Sequence, residues 1–227
     1  MRVLAIDTAL EACSAAVLDT ERRGVVASES QPMARGHAEA LMPLIARVMQ
    51  QARLPFAEID RIAVTVGPGS FTGLRVGVAA ARGLALASGK PAIGLTTLAA
   101  FAAPHIAADE TLPLLAAIDA RHDHVYMQLF GPGGRTLISP RLAPLREAVR
   151  AATSGPARLV GSAAQLVALA WPTDEPPPPL VDSARAPNID WIAHLGAAAM
   201  ESKHAPKPLY LRAPDAQPQD AVRLPRR

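Results

Sequence analysis

The amino-acid sequence predicts a duplicated α/β fold, two α/β domains around a cleft, and three observations carry that expectation. Leu114 to Phe130, LLAAIDARHDHVYMQLF, echoes Val3 to Asp19, VLAIDTALEACSAAVLD, with Asp119 standing where Asp7 stood. Each copy reads as an apolar strand that ends in aspartate and turns into an antiparallel neighbour, the mark of an internal repeat. Between the copies, Arg61 to Ala87, RIAVTVGPGSFTGLRVGVAAARGLALA, runs a buried strand through a glycine turn into a small-residue helix. The third observation is size: 227 residues, 50% of them apolar, suit one large or two small domains with an ample core.

Taken in order, Val3 to Ile6 and Cys13 to Leu18 form a hairpin, and Gly24 to Ser30 supplies a third strand. A helix follows between His37 and Arg53. Its stripe of Leu41, Ile45, Val48 and Ala52 is widened by Ala38, Met42 and Met49 beyond what a single core contact requires. Pro43 predicts a later start or a kink. Ile62 to Val66 is the buried strand, Gly67-Pro68-Gly69 the turn, and Ser70 or Thr72 the cap of a helix reaching Ser88. Gly73, Gly77, Ala81 and Ala85 recur every fourth residue, which leaves a groove for close approach of another helix or strand. Arg75 and Arg82, seven apart and so on one face, are the only charges there; they exclude a membrane span.

Ala92 to Leu95 adds a strand and Thr97 to Ala108 a helix, which closes a first domain at 1–109. The second, 110–212, opens with the repeated hairpin. It continues through helices at Pro144 to Ala152 and Ser162 to Ala170 around a strand at Arg158 to Val160. A proline-rich loop at Thr173 to Pro179 precedes a helix from Asn188 to Lys203, and Leu209 to Arg212 reads as a final strand. Residues 213–227 read as a disordered tail.

Composition narrows the function. The net charge of +3 is carried by scattered arginines with few aromatics, so no nucleic-acid platform is indicated. A single cysteine, Cys13, rules out an internal disulfide and a thiolate metal cluster. The N-terminus is already strand-like and carries no leader pattern, which predicts a cytoplasmic protein. The glycine turn lacks the lysine of a Walker loop, is one residue too long for the dinucleotide fingerprint and has no nucleophile elbow. Gly67, Gly69 and Ser70 can either hold an anion at the helix N-terminus or serve as a tight turn with an N-cap. Asp7, with Thr8 behind it, and Asp119 can bind Mg²⁺ or orient a nucleophile in a cleft, or simply accept hydrogen bonds from turn N–H groups. His122 and His124 would share a face on an extended strand, but no third ligand at metal spacing accompanies them.

The stretch TVGPGSFTGLRVGVAAARGLA, with LAIDTA, HAEALMPLI, IDAR followed by VY, and PLYLRAPDA, closely resembles the TsaB (YeaZ) family. The resemblance covers most of the chain, with 144–208 matching only in layout. It implies the actin-like, Hsp70, acetate and sugar kinase (ASKHA) fold. It also implies a part in making threonylcarbamoyladenosine beside the anticodon of tRNAs that read codons beginning with A. Family members resemble a non-catalytic paralogue of the transferase subunit TsaD, pair with it, and are joined by the ATPase TsaE. The implied pairing surface is the first two helices, here Leu41, Met42, Ile45, Val48 and Met49 with Gly73, Leu74, Gly77, Val78 and Ala81. They would self-pair in a homodimer when alone. Where the catalytic paralogue carries a metal-binding His-x3-His, this chain has Thr97 and Phe101, so neither catalytic nor metal residues are expected. No cofactor is required of the chain; ATP and Mg²⁺ belong to the complex, and contact with tRNA is indirect. One departure is His124, where the family usually has an acidic residue before VY. The alternative function is an ATP-dependent phosphotransferase of the same fold, and a metallopeptidase lacks its histidine pair.

Overall fold

Alternating apolar strands organise the molecule. The computed structural model describes residues 1–212 apart from Arg23 and Lys203. In chain order the elements are β1 (Arg2–Asp7), β2 (Ala12–Asp19), β3 (Gly24–Pro32), α1 (His37–Ala52), β4 (Arg61–Gly67), α2 (Phe71–Ser88), β5 (Ala92–Thr96) and α3 (Thr97–Ala108). The second half has β6 (Leu114–Asp119), β7 (His124–Phe130), β8 (Thr136–Pro144), α4 (Leu145–Thr153), β9 (Arg158–Val160), α5 (Ala164–Leu169), β10 (Val181–Asp182) and α6 (Ile189–Ala198).

The two halves repeat one topology. The first sheet runs β3-β2-β1-β4-β5 and the second β8-β7-β6-β9-β10. In each, the opening strand is antiparallel to its hairpin partner and parallel to the strand on its other side. The echo in the sequence is therefore an echo in space, with Asp7 facing Ser14 and Asp119 facing Val125 across their ladders. The strand β8 was not expected. It sits at the sheet edge, where Pro140 and Arg141 are tolerated because one side of the strand needs no ladder partner.

Strand alternation sends Leu4 and Ile6 to one face of the first sheet and Val3 and Ala5 to the other. The Leu4 face is covered by α1 and α2 through Leu41, Leu44, Ile45, Val48 and Val78. The Val3 face is covered by α6, whose Ile189, Ile192 and Ala193 meet Val3, Ala5, Ala16, Leu18 and Ala63. Conversely α3, built from the first half, places Leu98, Phe101 and Ala102 against Leu114, Ala116, Ile118 and Val160 of the second sheet. The two halves thus exchange a helix. A boundary at 109/110 does not divide the packing, because residues 189–198 complete the first sheet.

Smaller differences have local causes. α1 starts at His37 and runs through Pro43, with Gly36 left-handed at its N-cap, so no later start is needed. α6 ends at Ala198 rather than at Lys203. Leu209 to Arg212 forms no strand; it is a strap whose Leu209 N–H donates to the Val66 carbonyl at 2.7 Å. The expected tail, 213–227, lies outside the described residues.

Candidate functional site

The end of β1 is where a cleft of this topology would do chemistry, and here it is closed. Asp7 and Thr8 are buried. Asp7 Oδ1 accepts from the Ala9 N–H at 3.1 Å and from the Thr65 hydroxyl, while Oδ2 is buried with no hydrogen-bond partner. The N-terminus of α2 is seated directly on the β1–β2 turn. The Ser70 N–H donates to the Ala9 carbonyl at 2.7 Å, and the Thr8 hydroxyl donates to the Gly73 carbonyl at 2.7 Å. The Gly73 N–H donates to the Ser70 side chain at 3.3 Å, so Ser70 rather than Thr72 is the cap.

The glycine spacing serves this contact. A Cβ on Gly69 would overlap the Ala9 carbonyl, one on Gly73 the Thr8 carbonyl, and one on Gly77 the Thr8 hydroxyl. On Gly67 it would crowd the Leu209 carbonyl. The groove read from the four-residue repeat is filled by a turn of the same chain. At Gly67, Gly69 and Ser70 the structure has the features of the capped turn, with the Ser70 N–H and the Gly73 N–H taken up within the chain.

The second half differs. Asp119 is exposed, accepts from the Arg121 N–H at 2.7 Å, and lines a cleft cavity of about 860 Å³. Facing it are Glu11, Ser70 and Phe71 from the first half, with Ser162, Gln165, Arg185 and Arg212 on its own side. Arg185 pairs with Glu11 at 2.8 Å across the cleft, and Arg212 donates to the Ala120 carbonyl at 3.1 Å. Asp7 does not reach that cavity, so the two aspartates do not converge on a common ligand. Between Asp119 and β7, Arg121, His122 and Asp123 are all left-handed, with φ of 62, 51 and 56°. His122 therefore lies in the turn rather than on a strand face beside His124. No group of three metal-ligating side chains is present among the described residues. Thr97 and Phe101 are buried, Phe101 within the core between α3 and the second sheet.

Sequence reading missed Thr65 and His37, the neighbours of Asp7. The parallel register sets Ile6 beside Val64 and so brings Thr65 to Asp7. His37 Nε2–H donates to the Leu10 carbonyl at 3.1 Å, and its field acts on Asp7. Neither contact has a local sequence signal. Burial pushes the Asp7 carboxyl up to about 6, against the lowering effect of the hydrogen bonds from Thr65 and Ala9. A folded-state value above the unfolded one means that the native protein binds this proton more tightly. The contribution is then greatest below the unfolded value near 4 and is lost as pH rises through about 6. Asp7→Asn is expected to remove that slope and to be more stable than the parent at pH 8, by about 1–3 kcal/mol. Urea titrations across this range check it, and a variant much less stable than the parent at pH 8 contradicts it.

The candidate pairing residues need correction. Leu41, Ile45, Val48, Met49, Gly73, Leu74, Gly77, Val78 and Ala81 are all buried within this chain; only Met42, 48% exposed, is on the surface. The most apolar stripe of each helix is spent on the helix's own sheet. The available face of α2 is the opposite one, with Phe71, Arg75, Ala79, Arg82, Gly83 and Leu86, the last 87% exposed.

Paired mixed sheets of one topology, exchanging a helix around a cleft, define the actin-like ASKHA class. Residues 14–177 match the family model described as TsaD, tRNA N6-adenosine threonylcarbamoyltransferase. The chain is 39% identical over 126 residues to the tRNA threonylcarbamoyladenosine biosynthesis protein TsaB of Escherichia coli (strain K12), a match that spans 56% of this chain and 53% of that protein. It is 35% identical over 218 residues to an uncharacterized protein of Mycobacterium tuberculosis, covering 95% of this chain and 94% of the other. The structure of YeaZ from Pseudomonas aeruginosa is similar with a TM-score of 0.78 at 28% identity, over 92% of this chain and 99% of that one. The chain belongs to the TsaB (YeaZ) family.

Proposed function

We propose that this chain takes part in tRNA threonylcarbamoyladenosine biosynthesis as a non-catalytic subunit that pairs with TsaD through the outer faces of α1 and α2. The observation that carries the reading is the seating of α2 on the β1–β2 turn, which closes the end of β1 and takes up the Ser70 and Gly73 N–H groups within the chain. Phe101 in the position of a metal ligand and the unpartnered apolar residues Met42 and Leu86 support it. In this reading the chain homodimerises when alone, TsaE joins the pair, ATP and Mg²⁺ act at the level of the complex, and tRNA is contacted indirectly. The setting is the cytoplasm; no described helix is long and apolar enough to cross a membrane.

The test is tRNA modification in vitro with TsaC, TsaD, TsaE, ATP, threonine and bicarbonate. Product is expected only when both TsaD and this chain are present. Leu86→Asp, which places a charge on the outer face and leaves the core untouched, is expected to weaken pairing with TsaD at least tenfold and to lower activity in step. Full activity without this chain, or product from this chain in place of TsaD, overturns the proposal. A second reading, an ATP-dependent phosphotransferase, rests on Asp119 facing the 860 Å³ cleft. ATP turnover by the isolated chain that is lost in Asp119→Asn would favour it.

A further inference from the structure

The outer face of α2 carries an arrangement that the pairing proposal alone does not explain. The Arg75 guanidinium lies over the Phe71 ring at 3.7 Å from the centroid, and Arg75 Nε donates to the Tyr210 hydroxyl at 3.1 Å. Phe71 and Tyr210 in turn pack together with ring centroids 5.2 Å apart. The strap is thereby held against the helix, and a long side chain that would otherwise sample many rotamers is fixed at the surface. Beside it, Arg75, Val78, Ala79, Arg82, Pro208 and Tyr210 line a groove of about 520 Å³ between α2 and the strap.

Neither Arg75 nor Arg82 has a carboxylate partner among the described residues, and α2 itself contains no acidic residue. Their separation corresponds to a rise of about 10 Å, two turns of helix. An Nε held by tyrosine leaves the outer N–H pairs of Arg75 in fork geometry, suited to a bidentate carboxylate.

We infer that Arg75 and Arg82 are an acid-reading element of the pairing surface, and that the occupant of the α2–strap groove is an acidic helix face of the TsaD subunit, with carboxylates about two turns apart. The inference rests on the proposed pairing through α1 and α2 and adds the chemistry of the partner. It also orders the competing contacts. In an isologous contact whose two-fold axis passes beside α2, α2 meets α2, arginine against arginine. The single carboxylate on α1, Glu39, cannot neutralise both. The self-pair therefore carries a repulsion that the mixed pair lacks, and the mixed pair is favoured by charge as well as by apolar contact.

The experiment measures affinity of the full chain for the TsaD subunit of the same organism, and its self-association, at about 50 and about 300 mM salt. The mixed pair is expected to weaken with salt and the self-pair to tighten. Arg75→Ala and Arg82→Ala are each expected to cost about tenfold in the mixed affinity and to flatten its salt dependence. Tyr210→Phe, which keeps the ring and removes the hydrogen bond, falls between parent and Arg75→Ala. If Leu86→Asp abolishes pairing while both arginine variants bind with parental affinity and salt slope, the surface stands and the acid-reading assignment is wrong. If Leu86→Asp also pairs normally, the surface itself is wrong. A loss confined to self-association, or to binding of tRNA, likewise overturns the assignment.

Discussion

Gly73→Ala will destabilise the protein by about 3 kcal/mol, whereas Gly83→Ala on the same helix will stabilise it by about 1 kcal/mol. By helix propensity alone both substitutions should help. At Gly83 they do, because that position is exposed and nothing lies within 4 Å of an added Cβ. At Gly73 the methyl group would enter the space of the Thr8 carbonyl oxygen, a backbone atom that cannot rotate away. Relief requires α2 to lift from the β1–β2 turn, which breaks the Thr8-to-Gly73 and Ser70-to-Ala9 hydrogen bonds together. Urea unfolding followed by circular dichroism measures both variants. Equal, small effects at the two positions would show that the turn is not clamped as described. If the lifted turn exposes Asp7, Gly73→Ala will also lose the pH slope assigned to that carboxyl between about 4 and 6.

A fragment ending at residue 109 will not fold cooperatively, although it contains every strand of the first sheet. Without α6 the face made by Val3, Ala5, Ala16, Leu18 and Ala63 has no cover, and α3 has lost the strands on which Leu98 and Phe101 pack. Each of those side chains contributes on the order of 1 kcal/mol or more when buried, and total stabilities of domains are about 5–15 kcal/mol, so the loss removes the fold. A full-length chain with Ile192→Asp is the milder form of the test. It leaves the second sheet complete and places a charge at a fully buried position on the first. Hydrogen exchange should then show protection lost first in β1 and β4, while β6 and β7 remain protected. A sharp, single unfolding transition in the 1–109 fragment would mean that the exchanged helices are dispensable.

The physical origin of what could be read in advance is plain in particular residues. Val3 to Ile6 and Leu114 to Asp119 were legible as strands because both faces are apolar and both end in an aspartate before a turn. Ser70 was legible as one of two caps because a side-chain oxygen must satisfy a free helix N–H. The edge strand β8 was hidden, since Pro140 and Arg141 read as loop wherever the position of a strand within its sheet is unknown. For α1 and α2 the excess of apolar surface was evident, yet the face assigned to a partner was the one that the chain keeps for itself. Periodicity reports how many faces are apolar; which of them meets the core depends on where the sheet lies.

By itself, then, the sequence determined the repeat: two hairpins of one pattern, each joined to strands and small-residue helices, because strand and helix periods are local properties of the chain. The tertiary structure alone decided that the halves exchange α3 and α6, that Leu86 and Arg75 rather than Leu74 and Val78 face outward, and that the first aspartate is sealed while the second is open. The reason is distance along the chain. Thr8 and Gly73 are 65 residues apart, and the contact that closes the first turn exists only once β1, β4 and α2 have been brought together.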